Sequence, residues 1–129
     1  MVCRWGWTLL VALTIPLWVQ AQADPRQGRA IVGNRQLGLC LLCHSAPISE
    51  ERFQGNLAPN LVDAVQGKSA ADLRQLLHDP TVRRPDTIMP AYGRTDHLQS
   101  VAKGLEGKPL LSARQIDDVV AYLMTLQKP

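Results

Sequence analysis

The sequence predicts an all-α fold of one small domain, and three observations carry that prediction. A stretch near the C-terminus joins a helix-start signature to an apolar stripe of helical period. Two earlier segments begin with recognisable helix caps. Nowhere does the chain alternate apolar and polar residues as a half-buried strand does, and it holds no internal repeat. At 129 residues the chain is too short for a TIM barrel or a two-half dinucleotide-binding fold. A net charge of +3 without any basic run gives no case for nucleic-acid binding.

The N-terminal segment reads as a leader rather than fold. Arg4 precedes an apolar run from Trp5 to Val19, and Ala21-Gln22-Ala23 supplies a small-x-small cleavage pattern. Residues 1–23 are therefore expected to be a secretory signal peptide cleaved after Ala23, leaving a domain of residues 24–129. A retained membrane anchor is the rival reading. The run of about 15 residues falls short of the roughly 20 that a span needs, and Pro16 interrupts it. No cysteine stands at the cleavage point to make a lipoprotein. The expected compartment is an oxidising periplasm, with no membrane attachment once the leader is gone.

Cleavage would remove Cys3 and all three tryptophans, Trp5, Trp7 and Trp18. The mature aromatics are then Phe53, Tyr92 and Tyr122, a thin supply for a small core. That suggests a non-protein group in the middle, although leucine, isoleucine and valine are plentiful enough for a plain core.

The elements follow in order. Asp24 is placed to cap a helix, with Pro25 at its first position and Gln27 three residues on; the helix is expected to run to about Asn34. Residues 46–60 read as loop, rich in proline, glycine and asparagine. Ser69 caps a helix from Ala70 to about His78, with Leu73, Leu76 and Leu77 as its apolar face and Asp79-Pro80 as its stop. Residues 81–93 are expected to be extended loop, and residues 104–109 a turn region. Ser112 and Gln115 form a capping box for the last helix, and Leu111 and Ile116 stand at the staple positions. Ile116, Val119, Val120 and Leu123 make its stripe. Asp117 and Asp118 suit the helix dipole. The first helix, through Ala30 and Ile31, is the expected partner for that stripe, with Gly28 small enough to admit Tyr122.

Between the first two helices lies Cys40-Leu41-Leu42-Cys43-His44, a C-x-x-C-H motif. In an exported protein this is the attachment signature of a c-type haem. Each thiol adds to one vinyl group, and two intervening residues let both reach one porphyrin edge. His44 follows as the proximal iron ligand. A disulfide, a thioredoxin-like pair or a zinc site shares parts of the pattern. The redox pair needs a surrounding α/β pattern, and zinc needs two further ligands; neither is apparent. Helix, haem motif, loops and final helix are the order of a class I cytochrome c.

The sixth iron ligand is expected to be Met89, between Pro85 and Pro90 on a stiff loop ahead of the last helix. A methionine filling a core gap is the plainer alternative. Met124 falls inside the final helix, His78 ends a helix and His97 sits in a polar loop, so each has an ordinary role. Pro59 is the expected carbonyl partner of the His44 ring. Arg83 and Arg84 are either cations for haem propionates or an exposed pair. Leu41-Leu42 is expected to put an apolar edge beside the cofactor.

The run from His78-Asp79-Pro80-Thr81 through Arg84-Pro85-Asp86-Thr87-Ile88-Met89-Pro90-Ala91-Tyr92-Gly93 resembles the SoxX family, the small cytochrome subunits of sulfur-oxidising SoxAX complexes. Gly38 to His44, Asn56 to Leu61 and Leu111 to Leu123 resemble that family's other motifs. The departures are Leu39 for Asn, Leu42 for Ala, Ala58 for Gly and His78 for Trp; none removes a ligand. The resemblance implies an electron-transfer subunit with a SoxA-type cytochrome partner. Such complexes couple thiosulfate oxidatively to a cysteine of a SoxYZ-type carrier protein and pass electrons to a soluble cytochrome c. Both mature cysteines are consumed by haem attachment, so any thiol chemistry belongs to a partner. A freestanding periplasmic cytochrome c carrier is the alternative, yet Lys68, Lys103, Lys108 and Lys128 are scattered rather than ringed for steering. A haem ligand sensor would need an open iron, which Met89 argues against.

Overall fold

The computed structural model describes residues 22–129, so all but the last two residues of the expected leader lie outside the described part. Helix α1 spans Pro25–Gly33, α2 Leu61–Ala64, α3 Ala70–His78 and α4 Ala113–Thr125, with single 3-10 turns at Cys40–Leu42, Pro80–Val82 and Lys103–Leu105. Among the described residues there is no strand. This is the all-α architecture the sequence predicts.

Each longer helix starts where its cap dictates. Ser69 and Asp72 form a reciprocal capping box on α3, and Ser112 and Gln115 form one on α4. At α1 the outcome differs. The Asp24 carboxylate accepts from the Arg26 amide at 2.9 Å, but the Asp24 amide is not turned back to Gln27. It donates instead to the Asp118 carboxylate on α4, at 2.8 Å. A tertiary contact has taken the place of half a capping box. Helix α2 has no counterpart in the sequence pattern. Its four residues follow an Asn60 cap that accepts from the Val62 amide at 2.8 Å.

Helices α1 and α4 pack against each other at the centre. Ile116, Val119, Val120 and Leu123 are all buried, as their spacing requires, and each contributes about 1.5–3 kcal/mol by leaving water. On α1 the buried residues are Gly28, Ile31 and Val32, while Ala30 is exposed. The expected Ala30–Ile31 face is thus rotated by about a quarter of a turn toward Val32, because Gly28 sets the approach. A Cβ at Gly28 would stand 1.9 Å from the Asp118 carbonyl oxygen and 2.9 Å from Tyr122 Cβ. Only glycine lets the two backbones come this close. Helix α3 packs Leu73 and Leu77 onto the same core, with Leu76 half-buried.

Candidate functional site

The C-x-x-C-H segment is a tight turn held by its own backbone. Leu39 enters it with φ +60°, a left-handed conformation that costs a leucine roughly 1–2 kcal/mol and an asparagine less. The Cys43 and His44 amides then both donate to the Cys40 carbonyl, at 3.2 and 2.9 Å. Three bonds fasten the following loop against the turn: Gly55 N to Leu41 O at 2.9 Å, Ala58 N to Cys43 O at 3.0 Å, and Leu61 N to Ser45 O at 2.8 Å. That loop delivers the Pro59 carbonyl to the His44 ring, with Nδ1 at 2.6 Å. Donation from Nδ1–H fixes the tautomer and leaves Nε2 with its lone pair, as an imidazole ligand requires.

Met89 reaches the same place from the far side of the chain. The Met89 amide donates to Thr87 Oγ1 at 3.2 Å, and Thr87 donates back to Arg84 O at 3.1 Å. Downstream, Tyr92 anchors the loop. Its amide donates to Leu77 O, its carbonyl accepts from Leu111 N, both at 3.0 Å, and its hydroxyl donates to Gly38 O at 2.6 Å. The 81–93 segment, expected to be extended, is therefore a 3-10 turn followed by a loop tied to α3 and to the start of α4.

Cys40, Cys43, His44 and Met89 line one cavity of about 590 Å³. Its walls are otherwise mostly apolar, with Val32, Leu61, Leu73, Leu77, Val119 and Leu123 among them. This size falls in the usual range for a cofactor site, about 300–1,000 Å³. The Cys40 and Cys43 sulfurs are not joined to each other. Burial pushes the Cys40 thiol up, so it is held neutral; burial likewise raises the Tyr92 phenol. A closed zinc site needs four His, Cys, Asp or Glu donors, and among the described residues no three such side chains are placed to hold one metal ion. Two thiols, one oriented imidazole and one thioether around an apolar space fit a c-type haem instead.

The other candidates stand elsewhere. Met124 does not line the cavity; it packs against the core, and its sulfur accepts from Gln127 Nε2 at 3.7 Å. His78 is exposed at the end of α3, and His97 is exposed beside Asp96 at 3.5 Å. Arg83 and Arg84 both line the cavity rim. Arg83 pairs with Asp72, whose carboxyl is held at about 2 by hydrogen bonds from Ser69 and then by that guanidinium. Lys68 is a rim cation that sequence reasoning did not single out; nothing local marked it. The expected Leu41-Leu42 edge is corrected: Leu41 is core at 1% exposure, Leu42 is half-exposed, and neither lines the cavity. Apolar side chains at the mouth are Leu57, 68% exposed, and Ile88, 77% exposed.

No protein-family model matches the chain, and no curated protein sequence matches it. Among solved structures it is similar to the crystal structure of SoxXA from P. pantotrophus, with 32% identity and a TM-score of 0.73. The match covers 84% of this chain and 85% of that one. Helical architecture, identity across nearly the whole described chain and the Asp79-Pro80-Thr81 to Met89-Pro90 run agree: the chain belongs to the SoxX family of small c-type cytochrome subunits.

Proposed function

We propose that this chain is the electron-transfer subunit of a periplasmic SoxAX-type complex. It would carry one haem, bound covalently through Cys40 and Cys43, with His44 and Met89 as iron ligands. The observation that supports this reading most is the convergence of those four side chains on one apolar cavity, with the His44 ring oriented by Pro59. When bound, haem c would supply a one-electron ferric–ferrous couple, and a thioether-plus-imidazole ligand pair raises the potential relative to two imidazoles. Cys40 and Cys43 would hold the group, His44 and Met89 would ligate its iron, and the leucine and valine walls would surround it.

The chain's partner would be a SoxA-type cytochrome, in keeping with its SoxXA relative. There a carrier cysteine thiol of a SoxYZ-type protein and thiosulfate form a sulfur–sulfur bond, releasing one proton and two electrons. This chain takes the electrons singly and passes them to a soluble cytochrome c. It performs no sulfur chemistry itself, because both of its mature cysteines are used as thioethers. Export through the leader, residues 1–23, would place it in the periplasm. Among the described residues no helix is long and apolar enough to cross a membrane.

The test mixes the purified holoprotein with thiosulfate, a SoxA-type partner and a thiol carrier, each alone and then together, and follows haem absorbance. Reduction is expected only with all three. Full-rate reduction without the SoxA-type partner would establish a freestanding carrier instead.

The axial assignment has its own test. Met89→Ala is expected to remove the weak ferric sulfur-to-iron band, on the order of 700 nm, and to open a site that binds carbon monoxide in the ferrous state. Met124→Ala should keep the band. The reverse pattern would overturn the Met89 assignment.

A further inference from the structure

The Asp24 backbone nitrogen lies 2.8 Å from Asp118 Oδ1, across 94 residues of sequence. Asp118 is the buried acidic residue of α4, 6% exposed. It is also the residue whose carbonyl faces Gly28, one helical turn beyond Asp24. The backbone of α1 is thus fixed against Asp118 at two successive turns, and the Asp24 nitrogen cannot drift from the carboxylate without parting the two helices. Just upstream, Gln22 and Ala23 are exposed. The expected leader-cleavage bond, Ala23–Asp24, therefore sits at the surface, with its nitrogen aimed into the helix interface.

We propose that leader removal builds an ion pair into the fold: the new α-ammonium of Asp24 pairs with the Asp118 carboxylate and locks the start of α1 onto α4. The proposal rests on the leader reading and is independent of the haem reading. Hydrolysis of Ala23–Asp24 by the exporting host's leader protease consumes one water. It leaves a carboxylate on Ala23 and an amine on Asp24, which takes up a proton. An amide-to-carboxylate hydrogen bond, in which only the acceptor is charged, then becomes an ion pair in which donor and acceptor both are.

The surrounding charges favour the change. On α4, Arg114 Nε lies 3.1 Å from the same Asp118 oxygen. On α1, the Asp24 carboxylate accepts from the Arg26 amide and, at 3.4 Å, from Arg26 Nε. Two carboxylates and two guanidiniums therefore face this junction, and the ammonium would enter beside both carboxylates. Arg114 gives up its hydrogen bond to the Gln22 carbonyl on cleavage and keeps Asp118. An α-amine has an ordinary pKa of about 7.7–8.0. Pairing raises it in the folded state, so the stabilisation is complete below that value and is lost as pH rises through the raised one.

The experiment compares two exported holoproteins. One is the natural chain. The other carries one serine inserted between Ala23 and Asp24, so that the Asp24 nitrogen stays an uncharged amide able to keep its hydrogen bond. Mass spectrometry fixes each N-terminus, and thermal melts are recorded from about pH 6 to 11. The natural chain should melt several degrees higher below about pH 8, with the gap closing as the amine loses its proton, at least tenfold less acidic than an unpaired one. Asp118→Asn in both backgrounds should erase the gap. If that variant does not fold, the pH dependence of the first pair still decides. Parallel melting curves, a gap that survives Asp118→Asn, or a mature chain beginning elsewhere than Asp24 each overturn the proposal. An intact haem spectrum beside any of those results leaves the functional reading standing.

Discussion

The Cys40→Ala/Cys43→Ala chain is expected to retain no haem after denaturation. The reason is that residues 24–129 hold no other thiol to form a thioether, and Cys3 lies in the expected leader. The measurement is extraction of the denatured protein with acid acetone, followed by haem staining of the separated polypeptide. Wild-type protein should keep all of its haem with the chain, and the double variant none. The effect should extend to folding. A small domain already buries a low fraction of its surface, and here the cavity walls are contributed by α1, α2, α3 and α4 together. Without its covalent filler, the variant is expected to lose the sharp cooperative melt and much of its yield. Wild-type haem that extracts into acid acetone would remove the c-type assignment altogether.

Gly28→Ala should be among the most destabilising single methyl additions in this chain. In an ordinary helix the change gains as much as about 1 kcal/mol from propensity. Here the new methyl would overlap the Asp118 carbonyl oxygen at 1.9 Å, and that oxygen belongs to a helix backbone with no room to rotate away. The helices must separate, weakening the Ile116–Val119–Val120–Leu123 contact and pulling Asp24 from Asp118. Overpacking of this kind costs about 3 kcal/mol or more. For a domain of this length that lowers the melting temperature by on the order of 10–20 °C. Gly104→Ala is the control, because its added methyl meets nothing within 4 Å and should change stability little. Near-equal melting of the two variants would mean that α1 is not pinned where the structure puts it.

These effects separate what is legible locally from what is not. Capping boxes are legible because their partners sit three residues apart: Ser69 with Asp72, and Ser112 with Gln115. The α4 stripe is legible because one helix face repeats every three to four residues. The haem motif is legible because its chemistry demands a fixed spacing within five residues. Helix α2 was invisible for the opposite reason. Its four residues are too few to show a period, and it forms where the Leu61 amide donates to Ser45 and Asn60 caps the turn. Leu41 illustrates a different gap. Its apolarity was plain, but whether it faced the cofactor or the core depended on how the 3-10 turn sits against α1, and it faces the core.

The sequence by itself determined the all-α class, the bounds of α1 and α3 and the start of α4 to within a residue or so, and which residues could serve a haem. Each of these depends on neighbours within a turn or two of the chain. The tertiary structure decided the rest. It set Val32 rather than Ala30 on the buried face of α1 and turned the Asp24 amide from its own helix to Asp118. Each choice joins residues far apart in sequence, and its outcome follows from how closely α1 and α4 can approach. No local pattern encodes that distance; it is set by the bare backbone at Gly28 meeting the Asp118 carbonyl.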